Sequence, residues 1–360
     1  MRPYNQTLLC DFYELTMGNG YLLSGKKDMQ ACFDLYFRKV PDNGGYAIAA
    51  GLSEMIEFLE QLHFDKEDID YLRSKNQFSE EFLQYLADFK FECDVYAVEE
   101  GTPVFPNEPL VTVKGPAIQA QLLETMLLLT INHQSLIATK ANRIVRAAQG
   151  RPVFEFGSRR AQGSNAAILG ARAAFVGGCA GTACACCEQL YGIPAVGTMA
   201  HSWIQMYDTE LEAFEAYARY YPDNCILLVD TYNVVKSGIP NAIKAYENVL
   251  KPLGKRLKGI RIDSGDITYL TKKVRKMLDE AGLEDCTIFI SNSLDEYIIR
   301  DILLQGAQIN SFGVGERLIT SKSEPVFGGV YKLVATEKDG EYVPKIKLSE
   351  NVEKITTPGY

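Results

Sequence analysis

The sequence predicts an α/β protein, an irregular α/β barrel preceded by an N-terminal α/β sandwich-like domain. Three observations carry that reading. Seven short apolar runs of β type recur from residue 153 onward: Val153–Phe156, Ala174–Gly177, Pro194–Met199, Ile226–Asp230, Gly259–Ile262, Thr287–Ser291 and Ile309–Phe312. Helical segments separate most of them, and apolar strands alternating with helices form parallel sheets buried on both faces. Finally, 360 residues with 47% hydrophobic content are enough for two domains, and seven strand units exceed what a typical open sheet needs.

Before the barrel, residues 1–150 are mixed. Helical periodicity runs through Leu52–Leu62, short strands follow at Asp94–Ala97 and in EPLVTVKG, and TPVFPNEP is a proline-broken turn. A long amphipathic helix is predicted from near Ile118 to about Ala148. It carries Lys140, Arg143 and Arg146 at three-residue spacing, a stripe read as a solvated face in preference to a phosphate contact. The barrel is assigned to 151–322, with capping boxes at Thr209/Glu212 and Ser293/Glu296. From 323 to 360 the pattern becomes a hairpin turning at Lys338-Asp339-Gly340, the start of a C-terminal β segment. The last residues, NVEKITTPGY, stop without a helix or charged tail, and a missing C-terminal segment is expected.

A net charge of −9 argues against nucleic acid or an anionic membrane as partner. The longest apolar run, MLLLTI, is too short to span a bilayer. Nine cysteines without a signal peptide point to reduced thiols in the cytoplasm. Cys184, Cys186 and Cys187 form a CACC cluster, read as small buried residues because no second C-x-x-C completes a zinc site.

Of three histidines, His63 lies in a polar helical stretch and His133 in an apolar one. His201, in GTMAHSW, follows the run PAVGTMA and is flanked by small residues that leave room for a ligand. It could be a nucleophile, a proton carrier, a metal ligand or a structural histidine. The residues after the other runs are polar as well: FGSRRAQG, LLVDTYN, RIDSGD and SFGVGERL. In a barrel these ends share one rim, so Arg159, Arg160, His201, Asp230, Arg261, Asp263, Asp266 and Arg317 should gather there. Clustered arginine in an acidic protein signals phosphate, and the glycines of the GVG stretch (Gly313, Gly315) suit a phosphate cradle after a late barrel strand. Salt bridges are the competing role for Arg160 and Arg317, and helix capping for Asp263 and Asp266.

Taken in order, DFYELTMGNGY, FRKVPDNGGYAIAAGL, FGSRRAQG, GTMAHSW, LLVDTYN, IRIDSGD and SFGVGERL resemble the nicotinate phosphoribosyltransferases, which are type II phosphoribosyltransferases. The resemblance covers nearly the whole chain. It implies a homodimer with shared active sites and the reaction of nicotinate with phosphoribosyl pyrophosphate to nicotinate mononucleotide and pyrophosphate, in NAD salvage. ATP hydrolysis would be coupled through a phosphohistidine at His201, oriented by Asp230. Phe156 would stack on one face of the pyridine ring and Tyr13 of a neighbouring subunit on the other. Arg261 would face the nicotinate carboxylate, Asp263 the ribose hydroxyls and the cationic ribose carbon, and Arg159 with Gly313 and Gly315 the phosphate. Thr182 would contact substrate, and Mg2+ would neutralise the departing pyrophosphate.

Nicotinamide-specific relatives place an aspartate after the Gly-Thr of the ring pocket; here Ala183 follows Gly181-Thr182, which favours the acid over the amide. Many members carry Ser-Asn where this chain has Ala183-Cys184. The alternatives are a nicotinamide or quinolinate phosphoribosyltransferase, or an inactive truncated relative that only binds ligand.

Overall fold

The computed structural model describes residues 5–351 and 355–356; the closing stretch read above as lacking a helix lies mostly outside the described residues. The chain forms two compact units, Met1–Thr139 with Val326–Tyr360, and Lys140–Pro325.

The first unit is built on a five-stranded antiparallel sheet in the order β13-β12-β1-β5-β3. These strands are β1 (Gln30–Phe37), β3 (Asp94–Ala97), β5 (Val111–Pro116), β12 (Gly329–Lys338) and β13 (Glu341–Pro344); β2 (Ala47–Ile48) and β4 (Pro103–Val104) pair apart from it. Six of the eight residues of β1 are buried, as befits a central strand covered on both faces. Its partner comes from the far end of the chain: β12 runs antiparallel to β1 from Ala31↔Thr336 to Phe37↔Gly329. Phe33 stacks on Tyr331 with ring centroids 4.9 Å apart, and Phe37 meets Phe327 at 4.7 Å. The β12–β13 hairpin turns at Asp339 and Gly340, whose φ values of 55° and 83° are the left-handed pair a tight hairpin requires. The helices Phe12–Leu23, Lys66–Ser74 and Glu80–Ala87 close a second core around Leu72, Phe82, Leu83 and Leu86.

The second unit carries six parallel strands in the order β7-β6-β11-β10-β9-β8. They are β6 (Val153–Glu155), β7 (Gly181–Thr182), β8 (Ile226–Leu228), β9 (Gly259–Ile262), β10 (Thr287–Asn292) and β11 (Ser311–Val314). Five of the seven predicted runs are therefore strands. Ala174–Gly177 instead ends the helix Ser164–Val176, whose alanine-rich sequence has high helix propensity. Pro194–Met199 contributes a single parallel bridge, Thr182↔Ala195, because Pro194 has no N–H to lend to a ladder. Among the described residues no backbone pairing joins that segment to β8, so the barrel is incompletely closed. Side chains span the gap: Tyr217 donates to the Thr198 carbonyl at 3.2 Å and Arg261 to that of Met199 at 3.3 Å.

Helix boundaries follow the caps. The Thr209/Glu212 box is formed, and Asp266 caps the helix Ile267–Glu280 by accepting from the Tyr269 amide at 3.0 Å. The expected Ser293/Glu296 box is replaced: Asp295 caps Glu296–Leu304, accepting from the amides of Tyr297 and Ile298. Glu296 is unavailable because it is buried against Lys140 at 2.9 Å and Arg143 at 3.2 Å. Lys140 also donates to Ser323 at 2.8 Å. Two members of the basic stripe are thus turned into the second unit rather than into solvent. The predicted long helix is interrupted at Leu122–Leu123, giving Ala117–Gln121 and Glu124–Ala147. Among the described residues no helix is long and apolar enough to cross a membrane.

Candidate active site

Most side chains of the candidate site in the second unit stand near or just beyond the C-terminal ends of its parallel strands, where α/β sheets bind ligands. Alternation along each strand sorts them by face. Phe154 and Phe156 share a face at β6 and meet Phe289 of β10, with ring centroids 6.0 and 5.5 Å away. β11 lies between these strands, and Gly313 on it makes the meeting possible. A Cβ there would sit 2.8 Å from the Phe156 ring and 2.9 Å from that of Phe289. Gly313 thus clears space for aromatic rings, whereas Gly315 caps the short helix Glu316–Ile319 beside the Phe156 carbonyl.

The Arg261 guanidinium, on β9, lies 5.7 Å from the centroid of the Phe156 ring. Its Nε donates to Ser291 at 2.6 Å, while its terminal nitrogens make longer contacts to Met199, Thr198 and Asp263 at 3.3, 3.5 and 3.4 Å. The inner end is fixed and the outer edge is loosely held, which suits a side chain that must receive a planar anion. Ser291 in turn donates to Asp263 Oδ1 at 2.6 Å. Asp263 Oδ2 is 3.9 Å from His201 Nε2.

His201 opens the helix His201–Gln205. Its Nδ1 pairs with Thr231 Oγ1 at 3.0 Å, so the hydrogen-bond partner of the imidazole is the residue after Asp230. Asp230 does different work: Oδ2 accepts from the Asp263 amide at 3.0 Å and from Ser264 Oγ at 2.5 Å, which fixes the loop that carries Asp263. Asp230 Oδ1 is buried and has no hydrogen-bond partner among the described residues.

The remaining predicted residues separate by role. Arg159 is exposed on the turn Ser158–Arg160. Arg160 faces Glu316 at 3.8 Å, and Arg317 is ion-paired to Asp295, so both take the salt-bridge alternative. Thr182 is the register partner of Glu155 and donates to its Oε2 at 2.7 Å. This places the hydroxyl on the face opposite Phe156. Tyr13 belongs to the first unit, on the exposed side of the helix Phe12–Leu23, where partial burial and the nearby Glu124 carboxylate push its phenol up. In the cysteine cluster Cys187 is buried, its thiol pushed up to about 12 by desolvation, while Cys186 is exposed. Among the described residues no group of three His, Cys, Asp or Glu side chains could hold a metal ion.

Sequence reasoning missed Thr231, Ser291 and Glu155. Thr231 lies inside LLVDTYN, Glu155 directly before FGSRRAQG, and Ser291 at the end of the run Thr287–Ser291; the signal was present in strand parity, since Ser291 falls two residues after Phe289, on the same face.

Comparison with known proteins finds relatives along nearly the whole chain. The nicotinate phosphoribosyltransferase (NAPRTase) N-terminal domain model matches residues 8–132, and the NAPRTase family model matches 152–354. The chain is 45% identical over 355 residues to "Nicotinate phosphoribosyltransferase" of Bacillus subtilis, covering 98% of this chain and 71% of that one. It is also 45% identical over 361 residues to "Nicotinate phosphoribosyltransferase pncB2" of Mycobacterium tuberculosis, covering 100% and 75%. Among solved structures, human nicotinic acid phosphoribosyltransferase superposes with a TM-score of 0.81 at 31% identity, covering 91% of this chain and 74% of that one. A nicotinate-nucleotide pyrophosphorylase from Pyrococcus furiosus gives 0.73 at 26%, covering 96% and 83%. With two family models in sequence along its length and relatives this similar, the chain belongs to the nicotinate phosphoribosyltransferase family.

Proposed function

We propose that this protein transfers the phosphoribosyl group of phosphoribosyl pyrophosphate to the ring nitrogen of nicotinate, giving nicotinate mononucleotide and pyrophosphate for NAD salvage. The observation that carries the reading is the relay Phe156–Arg261–Asp263–His201, with separations of 5.7, 3.4 and 3.9 Å. It sets an aromatic face, a cation, a carboxylate and an imidazole around one mouth.

In this reading the pyridine lies on Phe156 and its carboxylate meets the outer edge of Arg261. The ring nitrogen's lone pair forms the new bond to the ribose carbon as the bond to pyrophosphate oxygen breaks and that electron pair leaves with pyrophosphate. Positive charge develops on the ribose in between. Asp263, with Oδ1 committed to Ser291 and Oδ2 still open, is placed to hold a ribose hydroxyl and to stabilise that charge. Arg159 serves the phosphate. Tyr13 of a second copy would close the other ring face, so the active form would be a homodimer.

ATP would phosphorylate His201 at Nε2. A hydrogen on Nδ1 donated to Thr231 leaves the lone pair on Nε2, the nitrogen that faces Asp263. For magnesium, the donor set does not fit a resident ion, since no three-residue ligand group exists among the described residues. A cation held by substrate phosphates and water needs no such cage, and no step here is routed through it.

The test is pyrophosphate release from phosphoribosyl pyrophosphate with nicotinate, nicotinamide or quinolinate, with and without ATP. Release with nicotinate, enhanced by ATP, is expected. A preference for quinolinate would overturn the substrate assignment. Acid-labile phosphate from labelled ATP should vanish in His201→Ala; label that survives would remove His201 from the ATP step.

A further inference from the structure

Glu155 is wholly buried at the end of β6, yet none of the chemistry above uses it. Its carboxylate joins two neighbouring strand ends. Oε1 accepts from the Gly157 amide, and Oε2 accepts from Thr182 Oγ1 at 2.7 Å. Thr182 Oγ1 then accepts from the Cys184 amide at 3.0 Å, and the Glu155 carbonyl accepts from the Ala183 amide at 2.8 Å. Glycine is needed at 157, because a Cβ there would fall 2.8 Å from Glu155 Oε1 and 2.6 Å from Ile319. Burial raises the pKa of Glu155, and the hydrogen bonds from Thr182 and the Gly157 amide oppose the rise.

The face matters. Phe154 and Phe156 project toward Phe289, and Glu155 between them projects the other way. The carboxylate therefore lies behind the pocket. Through Oε1 it grips the residue that follows the stacking ring, and through Oε2 it fixes the hydroxyl of Thr182.

We propose that Glu155 is a positioning residue for the pyridine pocket: a buckle behind the sheet that holds the Phe156-Gly157 turn and the Thr182–Cys184 loop in register. Thr182 then acts on substrate only through that buckle, since its proton is committed to Glu155. The inference rests on the nicotinate reading given above, and it assigns to Glu155 and Thr182 a shared effect on nicotinate binding.

Glu155→Gln and Thr182→Val each break the buckle from one side. Each is expected to raise the KM for nicotinate at least fivefold while kcat changes less than twofold, and the double variant should be no worse than the weaker single. Amide hydrogen exchange at Gly157 and Cys184 should accelerate in both variants, with the amides of β9 and β10 unchanged. A general loss of fold would lower the active fraction and leave KM alone. Unchanged nicotinate KM in both folded variants, or multiplying effects in the double variant, would overturn the proposal. If Glu155→Gln does not fold, Thr182→Val decides by the same criteria. Wild-type protein that fails to turn over nicotinate rejects the functional reading, and with it the role toward nicotinate. Exchange that accelerates only at Gly157 rejects the buckle whatever the substrate.

Discussion

Arg261 holds its place by one short bond and three long ones, and the proposed reading puts recognition of the carboxylate on this single guanidinium. Removing it strips the carboxylate of its only proposed cation and leaves Asp263 with Ser291 and, farther off, His201. Arg261→Ala should lower kcat/KM for nicotinate by about 2–5 kcal/mol, at least roughly thirtyfold, with a far smaller effect on phosphoribosyl pyrophosphate; steady-state kinetics in both substrates checks it. Ala183 is exposed beside the pocket loop, and Ala183→Asp would add a like charge near the substrate anion. Nicotinate use should drop about tenfold relative to nicotinamide, measured as the ratio of their kcat/KM values. Glu14 supplies a pH dependence. Burial raises its pKa from 4.5 to about 7, against hydrogen bonds from Thr125 and the Asp11 amide, with Glu124 adding to the rise. A carboxyl with a raised folded-state pKa binds its proton more tightly in the native chain, so stability falls as pH climbs from about 4.5 to 7. Glu14→Gln should flatten that fall, visible in urea unfolding midpoints at pH 5 and pH 8.

Elements were legible where a local rule governed them. The buried strands β8, β9 and β10 announced themselves as apolar runs, and Asp266 and Thr209 as caps. The two-residue β7 was too short to have a pattern, and Ala174–Gly177 was misread because small apolar residues serve helix and strand alike. Asp295 displaced the predicted cap for a reason no local window contains: Glu296 is claimed by Lys140, 156 residues earlier. That cluster is the strongest energetic statement at this scale. Glu296→Ala removes the carboxylate that faces buried Lys140 and half-buried Arg143, and the second unit should lose about 3–5 kcal/mol in denaturant unfolding. Asp295→Ala frees two helix amides and Arg317, with an expected cost of about 1–2 kcal/mol by the same measurement. The rim residues, likewise, could be placed at strand ends from sequence. Which of them touch could not, because the His201–Thr231 contact depends on how a helix start and a loop meet in space.

Across the whole molecule, the sheet of the first unit draws its strands from both ends of the chain. The terminal hairpin was readable from its turn, but its pairing with β1 is a non-local fact. A chain ended at Pro325 would lose β12 and β13, exposing one edge of β1 and uncovering Phe33 and Phe37. Such a protein should be recovered mostly as insoluble material, which sedimentation after expression would show, while the full chain stays in solution. The same pairing sets an order of events during translation. Gly329 leaves the ribosome about 290 residues after its partner Phe37. At typical elongation rates β1 waits about 15–60 s with no neighbour on that side. The usual N-to-C sequence of folding is thereby inverted. The second unit can mature on the nascent chain first, and the sheet of the first unit gains its β12 partner only afterwards.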